Sequence, residues 1–455
     1  MRPKEMLSLG VRRGEPLEAA VRAARAAARA GGKKGALRGR IRAVLSDPAG
    51  HVDDALFGEL ARATLAQREA RAAFEPRAEP APWRQWGADL EPDAVTQMRN
   101  ACELPVTVRG ALMPDAHQGY GLPIGGVLAV EGAVIPYAVG MDIACRMRLS
   151  VLDWPLAALE RKRRALERAL EKETRFGVGA RFETPREHAV MDRDWGVSPV
   201  TRANRQLARA QLGSSGAGNH FVELGALVLD EPELGLEAGA YLALLSHSGS
   251  RGTGAEVARH YSRRAREAHP ELPRQLVHLA WLDLAGGDGE EYLAAMELCG
   301  HYAAASHELI HRHVIGRLGA EVLATVENHH NFAWRERHFG RDVIVHRKGA
   351  IPADAGALGV IPGSMGTPGY VVRGRGEKES LCSAAHGAGR RMSRTAAAAR
   401  YTWADARRFL DRRGVRVLSA GVDEVPMAYK DIEQVMAAQG DLVRLLHKTM
   451  HAEMI

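Results

Sequence analysis

The stretch MPDAHQGYGLPIGGVLAVEGAVIPYAVGMDIACRM, Met113–Met147, concentrates groups that bind metals or move protons: Asp115, His117, Asp142 and Cys145. Its six glycines suit a backbone that approaches a ligand closely. We predict that the apolar run Val134–Met141 is a strand ending in a turn, so that Asp142 and Cys145 enter one pocket. An oxygen and a sulfur donor this close indicate a metal site, because the thiolate is the metal-binding form. For this pair alone, a buried structural cysteine beside a surface aspartate is the alternative.

The composition is that of a soluble globular protein, with 46% hydrophobic and 26% charged residues in 455. No signal peptide and no run of ~20 apolar residues is present, so we expect a cytoplasmic protein without membrane contact. The four cysteines form no CxxC pair, which favours a reducing compartment. A net charge of +7 suits a polyanionic partner such as nucleic acid, although a basic surface that only aids solubility is the alternative.

Two regions are predicted, a basic helical N-terminal region over residues 1–82 and a catalytic domain over residues 83–455. Helices are expected at Leu17–Ala30, Leu37–Leu45 and Asp53–Ala73, and the proline-containing stretch Glu75–Trp83 is typical of a linker. The basic face of these helices could contact RNA or could simply be solvated.

From Trp86 onward, short strand-like runs alternate with glycine loops. Strands are predicted at Gly126–Val130, Phe221–Leu224, Tyr241–Leu245, Asp342–His346, Gly369–Val372 and Val415–Leu418. Helices are predicted at Leu156–Lys172, Tyr292–Leu318 and Asp431–Leu446, with the basic run Arg161–Arg164 exposed to solvent. No GxxxxGK[ST] motif occurs, which excludes a P-loop enzyme.

Four further clusters embed histidine in glycine and other small residues: Gly213–Glu223, Ser246–Gly254, Asn328–Phe332 and His386–Arg390. Val345–Gly349 and Ile361–Gly366 lie between the last two. Small residues leave room for a bulky ligand and expose backbone N–H groups that bind phosphate oxygens. Together with the Asp142–Cys145 pair, the clusters predict a buried metal and phosphate site assembled from distant segments.

The histidines differ in their predicted roles. Three of them end or follow apolar runs that could be strands, which favours inward-facing metal ligands: His220, His247 and His330. His386 opens a glycine loop, as an exposed nucleophile at a phosphate site would. His329 should face away from His330 if both lie on extended backbone. His117 could bind a substrate phosphate or merely fix its loop.

The segment HELIH, His307–His311, formally matches the HExxH motif of zinc metalloproteases, with Glu308 as the base. The pattern is short and has no GxxH continuation. We therefore interpret it as part of a solvated, histidine-rich helix.

With these residues in view, the chain resembles the RtcB-type RNA ligases, as a divergent branch of that family. The resemblance runs from about Trp86 to Leu446 and rests on these motifs, in family order: MPDAHQGYGLPIGG, VGMDIACRM, GAGNHFVE, HSGSRGTG, HHNFA, VHRKGA, IPGSMGT, HGAGRRMSR and DEVPMAYKDI. It implies an α+β fold, with a central β-sandwich-like core flanked by helices and the site in a cleft at its middle. The chain departs from the family at Gly369, where a serine that contacts the nucleotide is usual.

The resemblance also implies the chemistry, a GTP-dependent RNA ligase with two Mn²⁺ ions. Cys145 would bridge both ions, with Asp142 and His220 completing one site and His247 and His330 the other. His386 would attack the α-phosphate of GTP and form a histidine–GMP adduct. The enzyme would join RNA with a 3′-phosphate or 2′,3′-cyclic phosphate to RNA with a 5′-hydroxyl, in tRNA splicing or RNA repair. The need for an activating protein partner is left open.

The residues that match the family's nucleotide-contacting segments are Asn219, His220, Glu223, His330, Asn331, Lys348, Pro362, Gly363, Ser364, Met365, His386, Gly387, Ala388, Gly389 and Tyr429. Manganese is carried over from the family, because a thiolate and imidazoles would by themselves favour Zn²⁺ or Cu²⁺. Two other functions fit the metal ligands: an RNA-end cyclic phosphodiesterase or phosphatase without ligation, and a non-catalytic RNA-binding module.

Overall fold

The computed structural model describes residues 1–12, 14–72 and 74–454, with the backbone alone for 69–72 and 450–454. The chain divides into two units, Met1–Pro76 with Arg266–Val277, and Arg77–Ala265 with His278–Ile455. Among the described residues, no helix combines the length and the apolar character needed to cross a bilayer.

The first unit contains four helices, α1 (Pro3–Ser8), α2 (Glu15–Arg29), α3 (Lys34–Ser46) and α4 (Gly58–Ala72). The first two predicted helices are confirmed as α2 and α3, and each observed end lies within three residues of the predicted end. The third begins at Gly58 rather than Asp53, because turns precede it. In these turns the Asp54 carboxylate accepts from the backbone N–H groups of Leu56 and Phe57. Its predicted last residue, Ala73, lies outside the described residues. One face of α2 is lined by alanines, which let it pack closely against Ile41 and Phe57 in a small core.

The second unit carries all the strands of the described chain: β1 (Trp83–Gln85), β2 (Thr107–Tyr120), β3 (Leu122–Val130), β4 (Ala133–Val134), β5 (Arg146–Leu152), β6 (Phe221–Leu229), β7 (Gly239–Ser248), β8 (Leu282–Asp283), β9 (Val322–His329), β10 (Asn331–His338), β11 (Arg341–Lys348), β12 (Ala350–Pro352), β13 (Leu358–Ile361), β14 (Gly369–Gly374), β15 (Ser383–Ala385), β16 (Arg416–Val417) and β17 (Val443–Met454). All six predicted strands are present. The structure adds eleven further strands that the periodicity did not identify, the longest of which are β2, β5, β9, β10 and β17.

Helices connect and cover these strands: α5 (Pro92–Cys102), α6 (Pro136–Val139), α7 (Ala158–Arg161), α8 (Arg163–Glu173), α9 (Pro199–Gln211), α10 (Arg251–Ala268), α11 (Gly287–Leu318), α12 (Arg394–Arg400), α13 (Trp403–Asp411) and α14 (Ile432–Ala437). The predicted helix at 292–318 is confirmed and extends five residues further toward its start. It ends at Gly319, whose φ of 67° is the left-handed conformation that commonly terminates helices.

Two large sheets form the centre of the fold. One has five strands in the order β1-β2-β3-β11-β10, and the other has eight, in the order β13-β14-β17-β6-β7-β5-β9 with β16 beside β17. A shared core contains Val127 and Val345 of the first sheet together with Val372 and Val443 of the second. Helices α8 and α11 pack on the eight-stranded sheet through a separate apolar cluster. The predicted α+β class with a sandwich-like core and flanking helices is therefore confirmed.

Three local predictions are wrong. Residues 431–446 form only the short helix α14, because from Val443 the chain pairs with β14 and β6 as strand β17; sheet partners outweigh local helix propensity here. The run 134–141 is not a strand, because Pro136 occupies the first turn of α6, a position that suits proline. The helix predicted at 156–172 is broken at Lys162 into α7 and α8. The basic run 161–164 is exposed as predicted.

The interpretation of the HELIH segment as solvated is also wrong. His307 and His311 are fully buried on the face of α11 that meets the sheet. Their rings contact the Ser246 hydroxyl, at 2.6 Å from His307 Nδ1 and 2.8 Å from His311 Nε2. Glu308 lies on the exposed face and pairs with His188, so the three side chains do not form a zinc-protease site.

Candidate active site

The predicted metal ligands converge because of the strand order in the eight-stranded sheet. Strands β6, β7, β5 and β9 are neighbours and antiparallel. In such an array the start of one strand lies beside the end of the next. His220 immediately precedes β6, His247 lies near the end of β7, Cys145 immediately precedes β5, and His330 immediately follows β9. All four therefore meet at one end of the sheet.

Cys145 lies between two groups of potential ligands. Its Sγ is 3.3 Å from His220 Nε2 and 3.0 Å from His247 Nε2. On one side, His220 Nε2 is 2.8 Å from Asp142 Oδ2; on the other, His247 Nε2 is 3.2 Å from His330 Nε2. Asp142–Cys145–His220 and Cys145–His247–His330 thus form two triads, in each of which the donor atoms lie within 4.8 Å of one another.

Burial keeps the imidazoles of these triads neutral. It lowers the pKa of His247 to about 3 and that of His330 well below its usual value. The Asn219 carbonyl lies 2.8 Å from His247 Nδ1; since a carbonyl only accepts, Nδ1 carries the proton and the Nε2 lone pair faces Cys145. Burial, with Asp142 nearby, raises the pKa of the Cys145 thiol. Neutral imidazoles around one sulfur, with a carboxylate at the side, are a donor set that fits a pair of divalent cations.

Asp142 is held ionised by its neighbours. Burial would raise its pKa, but the His220 ring and the Arg251 guanidinium outweigh burial and lower it. Arg251 Nη2 is also 2.8 Å from His220 Nδ1. A guanidinium only donates, so this contact places the proton of a neutral His220 on Nε2, facing Asp142. A cation bound at Nε2 would replace that proton, and Arg251 would have to leave Nδ1.

His386 lies beside the second triad and is fixed by Asp115. The rings of His386 and His330 are 5.0 Å apart. The fully buried Asp115 carboxylate accepts from the His386 backbone N–H at 3.2 Å and from Nδ1 at 2.6 Å. With the proton on Nδ1, a neutral ring has its lone pair on Nε2. This is the tautomer that a nucleophilic Nε2 requires. Asp115 was recognised in the sequence only as a titratable group, and its contact with a residue of the distant HGAGR motif was missed.

One cavity of about 540 Å³ contains this histidine and both triads. Fourteen of the fifteen residues predicted to contact nucleotide line it: Asn219, His220, His330, Asn331, Lys348, Pro362, Gly363, Ser364, Met365, His386, Gly387, Ala388, Gly389 and Tyr429. Glu223 is the exception, buried on β6 away from the lining. His117, for which two roles were open, lines the cavity with its Nδ1 3.1 Å from the Asp115 carbonyl oxygen, and burial lowers its pKa to about 4.

A charged cluster at the cavity was not identified from the sequence. Glu424 is buried and accepts from Arg390 Nη1 at 2.7 Å and from the Tyr429 hydroxyl. It also forms an ion pair with Arg394, whose Nη2 lies 3.1 Å from Glu424 Oε1. Arg394 Nε also lies 3.9 Å from Asp423 Oδ2, so the two arginines face two carboxylates at the cavity. All of these residues lie in the quoted motifs HGAGRRMSR and DEVPMAYKDI, but only Tyr429 was selected from them.

Comparison with known proteins agrees with this geometry. Residues 97–198 and 190–454 match the family described as tRNA-splicing ligase RtcB. The RNA-splicing ligase RtcB of Escherichia coli K12 is 35% identical over 404 residues, covering 81% of this chain and 96% of that protein. The RNA-splicing ligase RtcB of Mycobacterium tuberculosis is 35% identical over 413 residues, covering 75% and 95%. The tRNA-splicing ligase RtcB of Methanococcus maripaludis is 31% identical over 422 residues, covering 76% and 87%.

Proposed function

Because this chain belongs to the RtcB family and is therefore an RNA ligase, we propose that it uses GTP and a covalent histidine–GMP adduct. It joins RNA ending in a 3′-phosphate or 2′,3′-cyclic phosphate to RNA with a 5′-hydroxyl, in tRNA splicing or RNA repair. The observation that carries the proposal is the position of His386, oriented by Asp115 in the same cavity as both triads.

The residues of the cavity support each step. The Nε2 lone pair of His386 forms a bond to the α-phosphorus of GTP while the bond to pyrophosphate breaks. The Nδ1 proton stays on the ring, and Asp115 stabilises the positive charge that develops there. A 2′,3′-cyclic phosphate is first opened by water to a 3′-phosphate. The RNA 3′-phosphate then displaces the imidazole and takes up GMP. The 5′-hydroxyl attacks the activated 3′-phosphate, losing its proton to solvent, as GMP leaves.

Two Mn²⁺ ions, held by the triads that share Cys145, would supply positive charge beside the attacking and leaving oxygens. Arg390 and Arg394 add fixed positive charge at the cavity. The loop Gly387–Gly389 has little side chain, so its backbone can approach phosphate oxygens. Burial lowers the pKa of the neighbouring histidines, which keeps their lone pairs available for metal.

Labelling with α-³²P-GTP and MnCl₂, followed by denaturing electrophoresis, tests the proposal. We expect an acid-labile label on the wild-type chain and no label on His386→Ala. His301→Ala is the matched control, since His301 is exposed on α11 and should be labelled normally.

The same reactions, supplemented with RNA, separate the alternatives. Joining of 3′-phosphate to 5′-hydroxyl ends that His386→Ala cannot perform supports ligation through the adduct. Removal of the terminal phosphate without label or joining would replace the proposal with a phosphatase. RNA binding with neither reaction would replace it with a non-catalytic module.

A further inference from the structure

Beyond Arg390 and Arg394, the segment 389–417 carries a concentration of positive charge that the proposed chemistry does not use. It contains nine arginines against two aspartates and no lysine or glutamate. Aromatic residues alternate with the arginines: Arg400 lies over the Tyr401 ring and Arg413 over the Phe409 ring, with the guanidinium carbon 5.5 and 3.7 Å from the ring centre. Alternating cationic and aromatic side chains are typical of surfaces that bind single-stranded nucleic acid.

A second cavity of about 490 Å³ lies on this segment. Trp403, the first residue of α13, lines it together with Arg407, Arg416 and Arg163 of α8. Asp411 is the one carboxylate in its described lining. The volume is within the range of about 300–1,000 Å³ typical of small-molecule sites. The half-buried Trp403 ring also packs against an apolar cluster that includes Leu410 and Val415. This packing holds the ring in position in the cavity lining.

Some of the arginines around this cavity have no carboxylate partner among the described residues. Arg407 makes no hydrogen bond or ion pair with any described residue. Arg412 and Arg413 donate to the backbone carbonyls of Arg408 and Phe409, which leaves the positive charge of both arginines without a carboxylate partner in the part of the chain that the structure describes. Arg416 is paired with Glu167 at 3.0 Å. A polyanion would therefore meet more positive than negative charge here.

The second cavity adjoins the active site along the chain. Val417 lines it, and Ser419 lines the active-site cavity. Two residues of chain span at most about 7 Å, so the linings of the two cavities are separated by little more than the length of one nucleotide. Arg394, which begins α12, lines the active-site cavity, where it pairs with Glu424.

We infer that the Trp403 cavity binds an unpaired nucleotide of the RNA substrate, with a base against the Trp403 ring and backbone phosphates beside Arg407 and Arg163. The site would hold the RNA strand whose end enters the active-site cavity. Stacking on tryptophan requires a base outside a duplex, which makes this a site for single-stranded RNA ends. The inference rests on the proposed function only in assigning RNA as the ligand.

Binding of a fluorescent single-stranded RNA with a 3′-phosphate to the full chain, measured by anisotropy without GTP, tests the inference. Trp403→Ala should weaken binding by about five- to 100-fold, and Trp403→Phe should retain most of the affinity. Arg407→Ala should lower the slope of log K against log salt by about 0.7, the loss of one phosphate contact. Arg408→Ala, on the same helix but paired with Asp405, should bind like the wild type.

A blunt duplex of the same sequence should bind all these variants alike. Wild-type affinity of Trp403→Ala and Arg407→Ala for the single strand would overturn the inference, as would an equal loss for the duplex. Trp403→Phe and Arg407→Ala keep the test valid if Trp403→Ala fails to fold. Labelling of His386 by GTP should proceed normally in each variant. The two proposals fail separately, because absence of labelling in the wild type would reject the histidine–GMP adduct and leave the RNA-binding result unchanged.

Discussion

Nδ1 of His386 lies 2.6 Å from Oδ2 of Asp115, a residue 271 positions earlier in the chain. Asp115 lies on β2 of the five-stranded sheet, and His386 directly follows β15. The contact joins the glycine loop to the sheet and fixes which ring nitrogen faces the cavity.

The first prediction concerns this contact. Asp115→Asn should slow formation of the GMP adduct by about 10- to 100-fold, since it removes a charge-assisted hydrogen bond worth about 1.5–3 kcal/mol. Single-turnover labelling with α-³²P-GTP measures the rate. Nucleotide binding should change much less, because Asp115 is fully buried and acts through His386. A wild-type labelling rate in Asp115→Asn would show that the carboxylate does not orient the nucleophile.

The second prediction concerns the shared sulfur. Cys145→Ala should lose both metal ions, because Cys145 belongs to both triads. Asp142→Ala is the matched comparison, since Asp142 belongs to one triad only; it should retain one ion per chain. Elemental analysis of purified, dialysed protein gives the ratio. Retention of one fully occupied ion by Cys145→Ala would contradict the bridging position.

The third prediction concerns Lys348, which lies in the cavity lining with its Nζ 2.8 Å from the Tyr120 carbonyl oxygen. Burial lowers the pKa of Lys348 to about 7, against 10.5 for the free side chain. The unfolded chain therefore binds more protons than the folded chain between pH 7 and 10.5, and the contribution of this group to stability falls as pH is lowered through that range.

Lys348→Met removes this dependence. The stability of the wild type relative to Lys348→Met should decrease from pH 10 to pH 7, by at most about 1.4 kcal/mol per pH unit, and should be constant below pH 7. Thermal melting of both proteins across this range measures it, and the comparison cancels the titration of the other groups. A pH-independent difference would mean that Lys348 keeps its ordinary pKa in the folded protein.

The fourth prediction concerns Gly389 in the loop after His386. Its φ of 70° is left-handed, and a Cβ there would collide with the Asp115 carbonyl oxygen. Gly389→Ala should displace the loop and prevent formation of the adduct. Gly340→Ala is the control for backbone strain alone, since Gly340 has a φ of 78° with nothing near its Cβ position; it should cost about 1 kcal/mol and leave labelling intact. Normal labelling of Gly389→Ala would show that the loop tolerates the shift.

Much of the site could be predicted from sequence because its residues lie in short, chemically distinctive motifs. Asp142, Cys145, His220, His247 and His330 each stand beside small residues or at the end of an apolar run, and the structure brings all of them into one cavity. Their pairing into triads depends on the order of β6, β7, β5 and β9, which no local pattern encodes. The motifs therefore identify the groups, whereas the sheet determines which groups meet.

The errors at His307 and His311 and at residues 443–446, and the missed partner of Asp115, have a common physical cause: distant contacts outweigh the local pattern. His307 and His311 were expected in solvent because histidine is polar, yet the Ser246 hydroxyl satisfies both rings inside the protein. Residues 443–446 fit a helical period, yet two neighbouring strands were available to pair with them. Asp115 was noted as titratable, but its partner lies hundreds of residues away and could be found only from the fold.

The position of β17 has a consequence for synthesis of the protein. Strand β17, residues 443–454, lies between β6 and β14, both of which leave the ribosome earlier. Until residue 454 has emerged, each of these two strands has a backbone edge without its final partner, and such edges promote association between nascent chains. His220 directly precedes β6, so one edge of the strand that leads out of the catalytic cavity stays unpaired until this late strand is inserted.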